Sequence, residues 1–181
     1  MRRSSTASAA ARWHRPRLSS ASGGPMKISE LMTRTVQVCQ PTDTLDCAAQ
    51  LMWDNDIGVL VVVDETGQVV GMITDRDICM AAYTCGTALH DIAISHAMAK
   101  HVVACSADDS DDTAEALMAK HKVRRIPVVD EVNHPVGILS INDLACTMAR
   151  GRDIPASKVA GTLAAICEHR QAPSSRKAAS A

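Results

Sequence analysis

Phenylalanine is absent from this 181-residue sequence, and Trp13, Trp53 and Tyr83 are all the aromatic residues it has. Unpaired bases therefore have almost nothing to stack on. A net charge of −1 supplies no clustered positive footprint for a phosphate backbone either. No nucleic-acid partner is expected. Long apolar runs are missing as well: none approaches the roughly 20 residues that cross a bilayer, so no membrane association is expected. The seven cysteines (39, 47, 79, 85, 105, 146 and 167) contain no Cys-x-x-Cys pair. His90, His96, His101 and His121 lack the spacing of a zinc finger or of a metalloprotease helix. With no Walker-type loop and no nucleophile–base pair, the chain is read as non-catalytic and without a metal site. An odd number of cysteines in apolar settings fits reduced, buried thiols in a cytoplasmic protein. The competing reading is a thiol- or metal-responsive stress protein using Cys39, Cys105 and the histidines.

What the sequence does have is a duplication. Residues 57–77 hold two short β-branched runs, Val59 to Val63 and Val69 to Ile73, separated by a polar turn with Gly67. These read as the strands of a hairpin. The second strand runs through Gly71, Thr74 and Asp77 into a helical pattern. A hydroxyl and a carboxylate thus sit where a strand becomes a helix and free backbone N–H groups favour an anion. Adding 66 to each number returns the pattern: Asp64 becomes Asp130, Gly71 Gly137, Thr74 Ser140 and Asp77 Asp143. The register holds upstream through Ser29 and Ser95, Met32 and Met98, Val36 and Val102, and Cys39 and Cys105. A unit of about sixty residues occurring only twice is too long for a solenoid. It predicts one small fold repeated, with the copies packed on each other.

Each copy is an α/β (α+β) unit of order β-α-β-β-α, with Leu45, Ala48, Ala49 and Met52 forming the apolar stripe of its first helix. Asp111 stands where the first copy has Leu45, which predicts a frayed or shifted helix start. Arg124 and Arg125 replace Gly58 and Val59, placing two positive charges just before a buried strand. Ribose recognition needs an acceptor for two vicinal hydroxyls, and Asp77 and Asp143 are the candidates. Phosphates need donors and a cation, for which Thr74, Ser140 and Arg125 qualify. The plainer alternative is that both aspartates only cap helices.

ISELMTR, IGVLVVVDETGQVVGMITDRDI, ISHAMAK and VRRIPVVDEVNHPVGILSINDL carry a resemblance. Over roughly residues 27–150 the chain resembles a tandem pair of CBS (cystathionine β-synthase) domains, a Bateman module, in a stand-alone protein. The resemblance implies pseudo-twofold packing of repeats 27–84 and 93–150, with two composite clefts between them. One cleft would hold Thr74 and Asp77 with Val102, Val123, Arg124 and Arg125. The other would hold Ser140 and Asp143 with Val36, Ile57, Gly58 and Val59. Only the first gains an arginine in this assignment, so the two are expected to differ. The implied role is a regulatory, energy-sensing module that binds an adenosine ligand (AMP, ADP, ATP or S-adenosylmethionine), requires no further cofactor, and signals to a regulated protein partner.

Outside the repeats, residues 1–25 carry five arginines and no acid, and are expected to be a disordered extension. Val159, Leu163 and Ile166 predict a helix within 151–170, packed either on its own module or on a dimer mate. Residues 171–181 read as a disordered tail. A homodimer is expected, because Ala48, Leu51 and Met52, and likewise Ala114, Leu117 and Met118, offer more apolar helix surface than one module needs.

Overall fold

Each half of the duplication folds around one short sheet. The computed structural model describes residues 25–152 and 154–168, so the expectations for residues 1–24 and 171–181 lie outside the described residues. In the first half, β1 (Val38–Cys39) runs parallel to β2 (Val59–Val63), which pairs antiparallel with β3 (Val69–Thr74). Helix α1 (Leu45–Asp54) joins β1 to β2, and α2 (Asp75–Cys85) follows β3. A four-residue helix, α3 (Ile94–Ala97), opens the second half. There β4 (Cys105–Ser106), α4 (Asp111–His121), β5 (Arg125–Val129), β6 (Pro135–Ser140) and α5 (Ile141–Ala149) repeat the order and the pairing. Even the register irregularity recurs, at Val62/Val63 and at Val128/Val129. The β-α-β-β-α expectation holds in both copies.

All five residues of β2 are buried because both of its faces are covered. Leu60 and Val62 point into a core with Leu45, Ala48, Met52, Ile73 and Ile78. Val61 and Val63, on the opposite face by the period of two, join Val69, Val36, Val102 and Val129 in a cluster drawn from both repeats. Three short strands cannot bury two faces alone. Here the second face is covered by the other repeat.

The turns that open each repeat are exchanged between the two cores. The 3-10 turn Ile28–Glu30 precedes β1, yet Ile28 and Leu31 belong to the core of the second repeat. Ile92 and Ile94 precede β4, yet belong to the core of the first. Backbone bonds fix the exchange: Thr33 pairs in both directions with Ile138 at 2.9 Å, and Met72 with Ala99 at 3.1 and 2.8 Å. Gly71 and Gly137 leave room for it, since a Cβ at either would collide with the sulfur of Met98 or Met32. The hairpin tips also meet. Val69 N donates to Asn133 O at 3.0 Å, and Asn133 Nδ2 donates to Val69 O at 3.0 Å. The counterpart of Val69 is Pro135, which has no N–H, so this contact is not reciprocated across the pseudo-twofold.

Helix α6 (Ala156–Cys167) lies outside the duplication and packs on α4 and α5 of its own module. Val159 and Ile166 enter that core, whereas Leu163 stays 43% exposed. An ionic cluster fixes it in place. Lys158 Nζ lies 2.6 Å from Asp111 Oδ2 and 2.6 Å from Asp112 Oδ1, and 3.5 Å from Glu115 Oε1. Thr162 donates to Glu115 Oε2 at 2.7 Å.

This cluster corrects the expectation of a frayed α4. The helix starts at Asp111 as α1 starts at Leu45, with Ser110 as its cap. The Asp111 carboxylate is buried but paired: it accepts from Met26 N at 2.9 Å and from Lys158. It also sits at the positive end of the helix dipole. The apolar-surface argument for a dimer needs correction too. Ala48, Met52, Ala114 and Met118 are buried within the chain, and Leu51 and Leu117 pack against the same cores.

Candidate functional site

Thr74 ends β3 and is the N-cap of α2. Its hydroxyl accepts from Asp77 N at 3.2 Å, while Asp77 Oδ2 accepts from Thr74 N at 2.9 Å and from Thr74 Oγ1 at 2.6 Å. Ser140 and Asp143 repeat this box at the start of α5 with distances of 3.2, 2.8 and 2.6 Å. Both aspartates therefore do cap helices, as the plainer alternative had it. In each box the hydrogen bonds among the described residues fall on Oδ2, which leaves Oδ1 with no hydrogen-bond partner among them.

Each box opens on a cavity whose far wall belongs to the other repeat. Thr74 and Asp77 line a cavity of about 800 Å³ with Val102, Val123, Arg124 and Arg125. Ser140 and Asp143 line one of about 500 Å³ with Val36, Ile57, Gly58 and Val59. All twelve residues singled out from the sequence thus lie in the cavity to which they were assigned. The crossing segments that follow the exchanged turns bring Val36 and Val102 there. Both volumes lie in the usual range for small-molecule pockets.

One detail of the assignment changes. Arg125 lines both cavities, and so does its counterpart Val59. They are the first residues of β5 and β2, and each is paired in register to the residue that caps a helix, Ser140 and Thr74 respectively. That position is the wall the cavities share, so the smaller cavity has an arginine too. The difference between the cavities comes from other residues. Lys122 and Asp56 are counterparts in the same left-handed conformation, with φ of 53° and 52°. Lys122 faces the Asp77 cavity and Asp56 the Asp143 cavity. Arg76 and Arg124 also face the first, where the second has Asn142 and Gly58. The Asp77 cavity thus collects Arg76, Lys122, Arg124 and Arg125 against Asp75, Asp77 and Glu168. The Asp143 cavity has Arg125 against Asp56 and Asp143.

Sequence reasoning missed Lys122 and Asp56, although they directly precede Val123 and Ile57 in the same repeat register. It also missed Ile166 and Glu168 of the α6 end, which line the Asp77 cavity. These lie outside the duplication, and nothing in the sequence pattern marks them.

The cysteines are all free and show no paired site, but the expectation that they are buried holds only for Cys39 and Cys105; Cys47, Cys79, Cys85, Cys146 and Cys167 are exposed. Cys39 and Cys105 sit in separate cores, each Sγ 3.9 Å from a carbonyl oxygen of its own sheet, Val61 O or Pro127 O. Burial, helped by Asp43 and Asp109, pushes both thiols up to about 12, which holds them protonated and unreactive near neutral pH. Among the described residues no group of three or more His, Cys, Asp or Glu is placed to hold a metal ion, and no helix is long and apolar enough to cross a membrane.

The model of the CBS domain matches residues 28–83 and again 91–149. The chain belongs to the CBS domain family. Among its relatives, the CBS domain-containing protein YhcV of Bacillus subtilis (strain 168) is 36% identical over 118 residues, 65% of this chain and 82% of that one. Among solved structures, the CBS domain pair of protein MJ0100 superposes with a TM-score of 0.65 at 23% identity, covering 71% of this chain and all of that one. It was crystallised with 5′-methylthioadenosine and S-adenosyl-L-methionine. Hypoxic Response Protein I, with two coordinated zinc ions, superposes at 0.61 with 28% identity, over 72% of this chain and all of that one.

Proposed function

We propose that this CBS pair is a non-catalytic regulatory module that binds adenosine-containing ligands in its two composite cavities and transmits their occupancy to a protein partner. The observation that carries this reading is the repeated capping box: each copy lines a cavity of nucleoside size and has one carboxylate oxygen not used in the box. Asp77 and Asp143 take the ribose hydroxyls. The apolar crossing residues Val36 and Val102, with Ile57 and Val123, receive the adenine. The adenosine ligands of the MJ0100 pair support the ligand class. The charge distribution assigns phosphorylated ligands, AMP, ADP or ATP, to the Asp77 cavity. Ligands without phosphate, S-adenosylmethionine among them, suit the Asp143 cavity.

The test is a thermal-shift screen of the full chain over adenosine, AMP, ATP and S-adenosylmethionine, followed by calorimetric titration of the ligands that act. A ligand at 100 times its dissociation constant adds about 2.7 kcal/mol, a rise of several degrees at roughly 2–4 °C per kcal/mol for a chain of this size. No shift with any of them at millimolar concentration sinks the reading and leaves the boxes as helix caps.

The module acts as a homodimer. Trp53 on α1 is 83% exposed, and Met80 and Tyr83 on α2 are 51% and 84% exposed. The corresponding helices α4 and α5 are covered by α6, whereas among the described residues α1 and α2 receive no third helix of that length. A second copy of the chain covers them across a twofold axis. Light scattering at tens of micromolar should give twice the chain mass, and Trp53→Ala with Tyr83→Ala should halve it. A monomeric wild type refutes the dimer.

A further inference from the structure

The end of α6 reaches the Asp77 cavity. Lys122 Nζ donates to the backbone carbonyl of Glu168 at 3.1 Å and lies 3.7 Å from Glu168 Oε2. The Lys122 side chain is 25% exposed and that of Glu168 74%. Ile166, buried under the same helix end, lines the cavity beside them. A lysine at this place neutralises two sources of negative charge, the Glu168 carboxylate and the unpaired carbonyls of the last helical turn. An incoming phosphate is a third. One positive charge does not neutralise all three, and a phosphate beside the carboxylate and the helix end is repelled by both. The smaller cavity has no such arrangement: Asp56 stands in place of Lys122, and no residue of α6 lines it.

We propose that Glu168 determines ligand specificity in the Asp77 cavity: it holds Lys122 as an internal counterion, so that a phosphorylated ligand must displace it and thereby loosen the end of α6. This rests on the reading of the cavity as an adenosine site and adds how occupancy leaves it. An unphosphorylated nucleoside enters without disturbing the helix. The other end of α6 stays fixed by Lys158 on Asp111, so displacement frees the last turns and not the whole helix. Occupancy by phosphate thus becomes a change at the surface of the second repeat.

The experiment compares AMP and adenosine, by calorimetric titration, on the full-length wild type, Glu168→Gln and Lys122→Gln, with amide hydrogen exchange across residues 159–167. Exposed ion pairs are weak, so Glu168→Gln should bind AMP only about threefold to fivefold more tightly. Adenosine affinity should not change. Lys122→Gln should weaken AMP alone, and adding Glu168→Gln to it should restore nothing. Saturating AMP should speed exchange in 159–167 in the wild type, and adenosine should not. If adenosine binds while AMP affinity is the same in wild type and Glu168→Gln, the counterion role is overturned and the cavity reading stands. If neither nucleoside binds any of these proteins, both fall.

Discussion

Thr74–Asp77 and Ser140–Asp143 are one capping box built twice, with bond lengths agreeing within 0.1 Å, yet Lys122, Arg124 and Arg76 face one box while Asp56, Gly58 and Asn142 face the other. The backbone has been held constant, down to matching left-handed residues at 56 and 122. The side chains projecting from it have diverged in charge. Capping stabilises the helix whatever fills the cavity, so the two boxes share one geometry. Nothing in the scaffold constrains the facing wall in that way. Duplication therefore provides two pockets built on one capping geometry, open to ligands of different chemistry.

The sharpest way to break this comparison is to separate the repeats. Expressed apart, with the cut between Tyr83 and Ile94, neither half should unfold cooperatively, because each keeps a turn that belongs to the other core. A cooperative urea transition from either half alone would refute the exchange as a requirement.

Next in size is an interaction that only the second repeat has. Lys158→Ala leaves Asp111 and Glu115 buried without their cation, where the first repeat has Leu45 at the position of Asp111. Breaking a buried pair costs about 3–5 kcal/mol. Partial exposure of Lys158 reduces this to about 2 kcal/mol, or several degrees of melting temperature. Burial alone would lower the ammonium's affinity for its proton, but hydrogen bonds to Asp111 and Asp112 and the charge of Glu115 outweigh it and raise the pKa. A raised folded value means that the stabilisation is complete below the ordinary 10.5 and fades as pH rises through the folded value. Melting curves of wild type and Lys158→Ala should therefore differ most near neutral pH and begin to converge above 10.5.

The cavities can be told apart by their own aspartates. A hydrogen bond to a charged group contributes roughly 1.5–3 kcal/mol, so Asp77→Ala should weaken AMP binding on the order of tenfold to a hundredfold. Asp143→Ala should leave that site nearly intact and affect the second ligand alone. Equal loss at both sites from either change would erase the distinction between them. The smallest effects concern the arginines. Arg124→Ala should weaken AMP about severalfold with adenosine unchanged, whereas Arg125→Ala should perturb both cavities because its side chain lines both. Titrations with both ligands would show whether 125 behaves as a shared position.

Much of this was legible in the sequence, because the duplication repeats the features that matter: the strand–helix junction, the hydroxyl and the carboxylate three residues on. The resemblance of the repeats to CBS domains then sorted the residues into composite clefts. The exchange of the opening turns was not legible, since Ile28 and Ile94 fit the same pattern whichever core receives them. Asp111 was misread because its partners, Met26 N and Lys158, lie 85 and 47 positions away and form no motif. Arg125 was placed in one cleft only, because the resemblance assigns each motif residue to a single cleft and does not show that a strand's first residue borders two cavities. The helix stripes around Ala48 and Ala114 were rightly seen as apolar. Their covering by each repeat's own core, and in the second repeat by α6, could be seen only in three dimensions.

The exchanged turns have a consequence for the order in which the protein is made. A chain synthesised from its N-terminus completes residues 28–31 first, but their place lies against α4 and β6, near its other end. The first repeat, in turn, lacks Ile92 and Ile94 until the second has begun to emerge. Neither repeat can therefore finish while the other is unmade. The contacts that complete both cores must close long loops, whose entropic cost grows with length and whose formation is slow. The first core closes only when Ile92 and Ile94 have followed α2 out of the ribosome, and the second only when it finds Ile28 and Leu31 from the far side of the first repeat.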